Sequence, residues 1–264
     1  MSDHDRELAT AFDGQAAKFE KAPVQSDPMA LERLVRFADF PRDSHVLDAG
    51  CGPGLVAEAL LAAGQRVLGV DLSAEMIDRA RRRCQGHGGR ARFQQASIFD
   101  PALAASFDAT ISRYVLHHVS DPAAFLRRQV ELLRPGGVLV LCDHTTDPDP
   151  LHADWHTAIE RARDRTHTRN HTSGALVDLM AHAGLENLRL VEEAFALDFD
   201  EWFDRGTPTL SKEAVRALVL EGPRARGFRA RELRGGAVRI DCWRAMVRGS
   251  LPGEPEFTRG SGSP

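Results

Sequence analysis

The sequence predicts an α/β fold: a mostly parallel sheet with helices on both faces. Three observations predict it. Short apolar runs alternate with amphipathic helical segments between residues 45 and 142, the pattern of parallel strands joined by right-handed helical crossovers. Several of those runs are apolar almost without interruption, as central strands covered on both faces are. The stretch Val46-Leu47-Asp48-Ala49-Gly50-Cys51-Gly52-Pro53-Gly54 ends an apolar run in an acid and opens a glycine loop, and a helical segment starts near Leu55. That is a strand, a tight turn and a helix. Glycine allows the turn to adopt positive φ and lets a ligand approach bare main chain.

The elements follow in order. Residues 1–22 read as an amphipathic helix, with Leu8, Phe12, Ala16 and Phe19 at helical spacing. Pro23 to Pro28 break it, and a second helix spans about Met29 to Ala38. The first strand covers 45–49. Helix 55–63 stops at Gly64, a natural C-cap, and strand 66–70 follows. Ser73 is positioned to cap helix 74–84. Gly86, Gly88 and Gly89 make a loose loop before a strand over Arg90 to Ala96. Phe107 to Ser112 form the fourth strand. A helix opens at Pro122, runs to Leu133 and is closed by Arg134-Pro135-Gly136-Gly137; Val138 to Cys142 form the fifth strand. Helices at 151–164 and 173–183 come next, then a strand at 185–193. Residues 198–235 read as irregular and partly helical, and 237–247 as the final strand. The tail, 249–264, is rich in Gly, Ser and Pro and is expected to be disordered. The domain reading is an N-terminal helical cap over 1–40 and one α/β domain over 41–248, with cap insertions at about 144–172 and 198–235.

Composition narrows the function classes. The 264 residues are 42% apolar, enough for one large domain with a cap, and the net charge of −4 argues against a nucleic-acid partner. No apolar run reaches the roughly 18 residues of a membrane span, and the acidic N-terminus does not read as a secretory signal; a cytoplasmic protein is expected. Arginines cluster at 81–83 and across 224–234, read as a solvated helix face and loop. Cys51, Cys84, Cys142 and Cys242 lack paired spacing, so neither a zinc site nor a disulfide framework is expected. No metal ligand set is assigned.

The glycine spacing separates two cofactor classes. A dinucleotide loop reads G-x-G-x-x-G; here Asp48 leads Gly50-x-Gly52-x-Gly54. Asp71 ends the second strand, where an acid is placed to hydrogen-bond ribose hydroxyls. These residues resemble motif I and the second-strand acid of the class I S-adenosylmethionine-dependent methyltransferases. Phe107-Asp108, then Leu116-His117-His118, then Leu133-Arg134-Pro135-Gly136-Gly137 resemble the UbiE-like (type 11) branch, as do Asp71-Leu72-Ser73 with Met76 and the leading Phe12, Gln15, Ala16 and Phe19. Arg163-Asp164-Arg165-Thr166-His167-Thr168-Arg169 is similar to an R-D-x-S-H-x-R stretch of a subset acting on small molecules. The resemblance implies a Rossmann-like, seven-stranded sheet with a reversed final strand. It also implies S-adenosyl-L-methionine as cofactor, with Phe19, Asp48, Gly50, Cys51, Gly52, Gly54, Asp71, Leu72, Met76, Ser97, Ile98 and Arg113 around it. One departure stands out: Ser97 holds the place where the family usually has an Asp for the adenine amino group. A serine bond there is neutral and weaker.

Methyl transfer is an in-line displacement in which the protein binds, aligns and desolvates. A base is needed only when the acceptor holds its proton. His117 and His118 leave the fourth strand at its carboxyl end, the ligand-binding edge of such sheets, and His144 leaves the fifth. For His117 and His144 a base role and plain solvent exposure are both open; for His118 a structural or cofactor-side role is favoured. Tyr114 packs or touches acceptor. Trp155, Trp202 and Phe203 serve as core or as pocket lining. The resulting reading is methyl transfer to O or C of a small-molecule acceptor, such as a phenol, a quinone or another secondary metabolite, by a monomer or homodimer. The alternatives are a methyltransferase acting on RNA or protein, an enzyme of this fold catalysing a non-methylating reaction, and a non-catalytic cofactor-binding protein.

Overall fold

The computed structural model describes residues 2–104 and 106–253. Three helices lead: α1 (Asp3–Lys21), the single turn α2 (Pro23–Ser26) and α3 (Pro28–Ala38). Strand β1 (His45–Ala49), α4 (Leu55–Ala62), β2 (Arg66–Asp71), α5 (Ala74–Cys84), β3 (Ala91–Gln95) and β4 (Phe107–Arg113) follow. After them come α6 (Pro122–Glu131), β5 (Leu133–His144), α7 (Pro150–Arg163), α8 (Ser173–His182) and β6 (Glu186–Asp198). The remaining elements are α9 (Phe199–Asp204), α10 (Lys212–Glu221), β7 (Phe228–Glu232) and β8 (Val238–Ser250).

One sheet runs in the order β3-β2-β1-β4-β5-β8-β6, with β7 also paired to β8. Strands β1 to β5 are mutually parallel, and β8 is antiparallel to β5, β6 and β7. This is the expected Rossmann-like arrangement, reversed strand included. The strand order turns around between β1 and β4, which opens a crevice at their carboxyl ends.

Alternation along each strand divides the core. Val46 and Ile111 face a layer with Leu34 and Phe37 of α3 and Leu55, Val56 and Leu60 of α4. Leu47 and Leu141 face the other layer, with Leu126 of α6 and Leu176 and Met180 of α8. A third apolar cluster joins Ile159 of α7, Trp202 and Phe203 of α9, Val215 and Val219 of α10, and Phe228, Ile240 and Cys242. It forms the cap. Helix α3, grouped with the cap in the sequence reading, packs on the sheet instead. Helix α1 lies along α5: Asp13 Oδ1 accepts from Ser73 Oγ and the Glu75 amide, and Glu20 bridges Arg79 and Arg83.

Four expectations need correction. The sheet has eight strands, not seven. The extra strand β7, Phe-Arg-Ala-Arg-Glu, buries Phe228 but carries too much charge to read as a strand. Residues 85–90 form two 3-10 turns broken at Gly88 rather than a loose loop. The Pro135-Gly136-Gly137 stretch does not close α6, which ends at Glu131; it lies within β5, with Gly136 at φ 77° and a register shift opposite β4. Strand β8 runs to Ser250, and the Gly136 amide and the Gly137 carbonyl bond to Pro252 and Leu251. The expected tail therefore begins as ordered chain, and its residues 254–264 lie outside the described ones. Among the described residues no helix is long and apolar enough to cross a membrane.

Candidate active site

The loop after β1 is built by main-chain geometry. Gly50, Gly52 and Gly54 have φ of 77°, 51° and 82°, values that L side chains adopt only with strain. The Gly50 and Cys51 amides donate to the Val70 carbonyl, tying the loop to β2. A Cβ on Gly50 would stand 2.6 Å from a Val115 methyl, whereas one on Gly52 would meet nothing within 4 Å. Gly52 thus leaves open space beside its backbone. Gly54 serves another purpose: its Cα backs onto Ala80, letting α4 and α5 meet.

This loop floors a cavity of about 420 Å³. Phe19, Asp48, Gly50, Cys51, Gly52, Asp71, Leu72, Met76, Ser97, Ile98, Arg113 and His118 all line it; of the residues expected around the cofactor, only Gly54 does not. Leu8 and Phe12 of α1 close it from above. Asp71 accepts the Gly52 amide on one oxygen and the Ser73 amide on the other, each at 2.9 Å. Burial raises its pKa, against the pull of those amides. Asp48 is buried deeper, and its Oδ2 has no hydrogen-bond partner. Burial, then the neighbouring Asp71 charge, push its pKa up to about 7, with Arg113 opposing.

S-adenosylmethionine fits these residues. An orphaned buried carboxylate oxygen suits a cationic methionine end, and bare backbone at Gly52 suits close approach. The acid ending β2 keeps free lone pairs for hydroxyls. Ser97 borders the cavity, and its Oγ accepts the Phe99 amide, so it is a turn residue as well. The Arg113 guanidinium donates to the Val24 and Gln25 carbonyls and sits over the Tyr114 ring, so it pins α2. Burial raises the Cys51 thiol well above its ordinary pKa, which makes it filler and not a nucleophile.

A second, smaller cavity of about 40 Å³ adjoins the first through Phe19, Gln25, Tyr114 and His118, which line both. Its other walls include His117, His144, Glu160, Arg163, His167, Asn170, Trp202 and Arg205. The three candidate histidines therefore meet here. His117 Nδ1 lies 2.5 Å from Asp143 Oδ1. Asp143 is fully buried and also accepts the amides of Leu116, His117 and His144. Burial disfavours the charged form of each partner, but their mutual attraction wins: His117 is raised and Asp143 lowered. His118 and His144 go the other way. Burial, then the nearby His117, lower each to about 3. His118 Nδ1 meets the Thr166 hydroxyl and carbonyl.

The stretch from Arg163 to Arg169 holds the histidine turn in place. Asp164 accepts from the Thr166 amide and hydroxyl and from Thr207, and the Thr168 amide and hydroxyl donate to the His117 carbonyl. Trp202 lines the smaller cavity, while Trp155 and Phe203 belong to the cap core. Sequence reasoning missed Asp143, Glu160, Arg205 and Gln25. Asp143 had a signal: it stands next to last in β5 as Asp48 does in β1, and Asp71 is the last residue of β2. The cap residues had none, because only folding gathers them. Among the described residues no cluster suited to a metal ion occurs.

Comparison with known proteins agrees with this geometry. A family model described as a methyltransferase domain (type 11) matches residues 47–141. The uncharacterized methyltransferase YcgJ of Bacillus subtilis is 27% identical over 206 residues, 77% of this chain and 81% of that protein. Its crystal structure superposes with a TM-score of 0.76, covering 85% of this chain and 98% of that one at 24% identity. The uncharacterized protein YafE of Escherichia coli is 31% identical over 153 residues, 57% of this chain and 74% of its own length. A ubiquinone biosynthesis O-methyltransferase of Xanthomonas axonopodis is 39% identical over 117 residues, 44% of this chain; the match spans about half of that enzyme, 48%. With the glycine loop, the β2 acid and the sheet order in place, the chain belongs to the class I S-adenosylmethionine-dependent methyltransferases, in their UbiE-like, type 11 branch.

Proposed function

We propose that the protein transfers a methyl group from S-adenosylmethionine to an oxygen, or an activated carbon, of a small-molecule acceptor of the phenol or quinone kind, with His117 as the base. The observation that carries this reading is the His117–Asp143 pair in a small cavity that shares a wall with the cofactor cavity. The cofactor supplies an electrophilic methyl on a sulfonium, with a neutral thioether as leaving group. The chain's residues do the rest. Asp48, Gly52 and Asp71 hold the methionine and ribose ends, and Phe12 and Phe19 exclude water from above. His117 Nε2, with no hydrogen-bond partner among the described residues, would take the proton of the acceptor hydroxyl as that oxygen is methylated. Asp143 fixes the ring tautomer and stabilises the imidazolium that forms. The 39% identity over 117 residues to a ubiquinone biosynthesis O-methyltransferase supports oxygen as the accepting atom.

The test is release of S-adenosylhomocysteine from a panel of small phenols and hydroquinones. Once an acceptor turns over, His117→Asn should lower kcat by about 10²–10⁴ and leave S-adenosylhomocysteine affinity unchanged. Because the pKa of His117 lies above its ordinary 6.5, kcat should rise with pH through a value above 6.5. Asp143→Asn should move that limb to lower pH and lower its plateau. An unchanged kcat in both variants would remove His117 from the chemistry.

A further inference from the structure

The smaller cavity contains a buried charge without a hydrogen bond. Arg205 follows α9 and is 5% exposed. Its guanidinium makes no hydrogen bond to any described residue, its Nε is buried without a partner, and the nearest carboxylate oxygen, on Glu201, stands 3.8 Å away. A guanidinium has five N–H donors in a planar fork. The Arg205 ion-pair partner, Glu201, stands at the edge of contact range, with Oε1 itself buried without a hydrogen bond, so this buried donor set is poorly satisfied. Arg163 lines the same cavity and adds a second positive charge, donating from Nε to the Trp202 carbonyl. Burial and then Arg163 lower the Arg205 pKa to about 10, so it stays charged at neutral pH. The one carboxylate on the cavity wall, Glu160, is already engaged: its Oε1 accepts from Trp202 Nε1 with His156 at 3.7 Å, and its Oε2 lies 3.8 Å from Arg163. His167 Nε2 is a further buried nitrogen without a partner on this wall.

We propose that this cavity receives the carboxylate of the acceptor, paired to the Arg205 fork beside Arg163, so that the methyl acceptors of this protein are carboxylate-bearing small molecules. The inference rests on the reading that the smaller cavity is the acceptor side of the site. Shape supports it. About 40 Å³ is room for roughly three waters, which suits a carboxylate and excludes a ring. A head group enters, and the rest of the molecule extends toward the wall of Phe19, Gln25, Tyr114 and His118. Chemistry supports it too, because two parallel N–H···O bonds to a carboxylate satisfy a fork that one neutral acceptor cannot.

The test uses the full chain saturated with S-adenosylhomocysteine, and acetate and its neutral isostere acetamide as probes at constant ionic strength. In the wild type the Arg205 Nε–H resonance is followed by NMR; in the variants, which lack it, acetate binding is followed by the ring resonances of His117 and His167 on the same cavity wall. Acetate should shift these resonances saturably, acetamide should not, and Arg205→Lys should weaken acetate by about tenfold or more. Arg205→Gln should abolish the response while S-adenosylhomocysteine binds within about twofold of wild type. Absence of a saturable shift, or equal shifts from both probes, overturns the proposal in the wild-type protein, before any variant is made. A fall of S-adenosylhomocysteine affinity by about tenfold in a folded Arg205→Gln also overturns it, since the guanidinium would then serve the cofactor's own carboxylate. Methyl transfer to neutral phenols alongside any of these failures leaves the His117 reading standing.

Discussion

At the scale of single residues, the site depends on carboxylates placed in different surroundings. Asp48 and Asp143 are both fully buried at strand ends, yet burial dominates at Asp48 and raises it to about 7, while His117 holds Asp143 low. The consequence for Asp48 has a definite sign. A folded pKa above the unfolded 3.8 means that stability is full below that value. It is lost as pH rises toward about 7, because the unfolded chain ionises freely over that range while burial keeps the folded Asp48 protonated. One pK unit is worth about 1.4 kcal/mol, so Asp48→Asn should raise Tm at pH 8 and have little effect at pH 4, while weakening S-adenosylmethionine binding. Calorimetry across that range checks it; a lower Tm at pH 8 would mean that Asp48 stabilises the free fold. Asp48 and Asp71 were legible because an acid next to a glycine loop is a local pattern. The pairing of His117 with Asp143 was not, since it joins the ends of two strands 26 residues apart in sequence.

Elements were legible where a single period governed them. The helix at Ala74–Cys84 and the strand at His45–Ala49 match the sequence reading residue for residue, because a cap, a repeat and a stop all agree there. Reading failed where neighbours decide. Pro135-Gly136-Gly137 looks like a turn, but the chain end bonds to its backbone and carries it into β5. Strand β7 exists because β8 offers it an edge. The same dependence shapes the glycine loop. A methyl group at Gly54 would meet Ala80 Cα and Cβ at 3.0 Å, at φ 82°. Gly54→Ala should therefore cost about 1–3 kcal/mol by separating α4 from α5. The loss should appear in chemical denaturation with an unchanged m-value; a neutral Gly54→Ala would show that the two helices can shift apart freely.

Across the whole molecule, α1 joins parts that the sheet alone does not connect. It bonds to α5 through Asp13, to the cap through Lys18 on the Asp204 carbonyl and Glu7 on Arg165, and to the histidine turn through His4 on the His118 carbonyl. Its apolar face roofs the larger cavity. Among the described residues those polar bonds, the Glu20 pairs with Arg79 and Arg83 and that roof hold it, so its amides should exchange faster than those of α3, which is packed on the sheet. Saturation with S-adenosylhomocysteine should slow exchange in residues 3–21 more than in 28–38. Equal protection of the two segments would show that α1 is no cover.

The two cavities also draw on different stretches of the chain. Most walls of the larger one fall between Asp48 and Phe125, inside the family-wide segment 47–141. His144, Glu160, Arg163, His167, Asn170, Trp202 and Arg205 of the smaller one all fall after it. Selection acting on the cap can thus change what is methylated while the donor machinery is inherited intact. Proteins that share this chain's glycine loop at high identity are accordingly free to act on different metabolites. On the proposed acceptor reading, the positions that sort them are Arg163, His167 and Arg205, not the motifs by which the family is recognised.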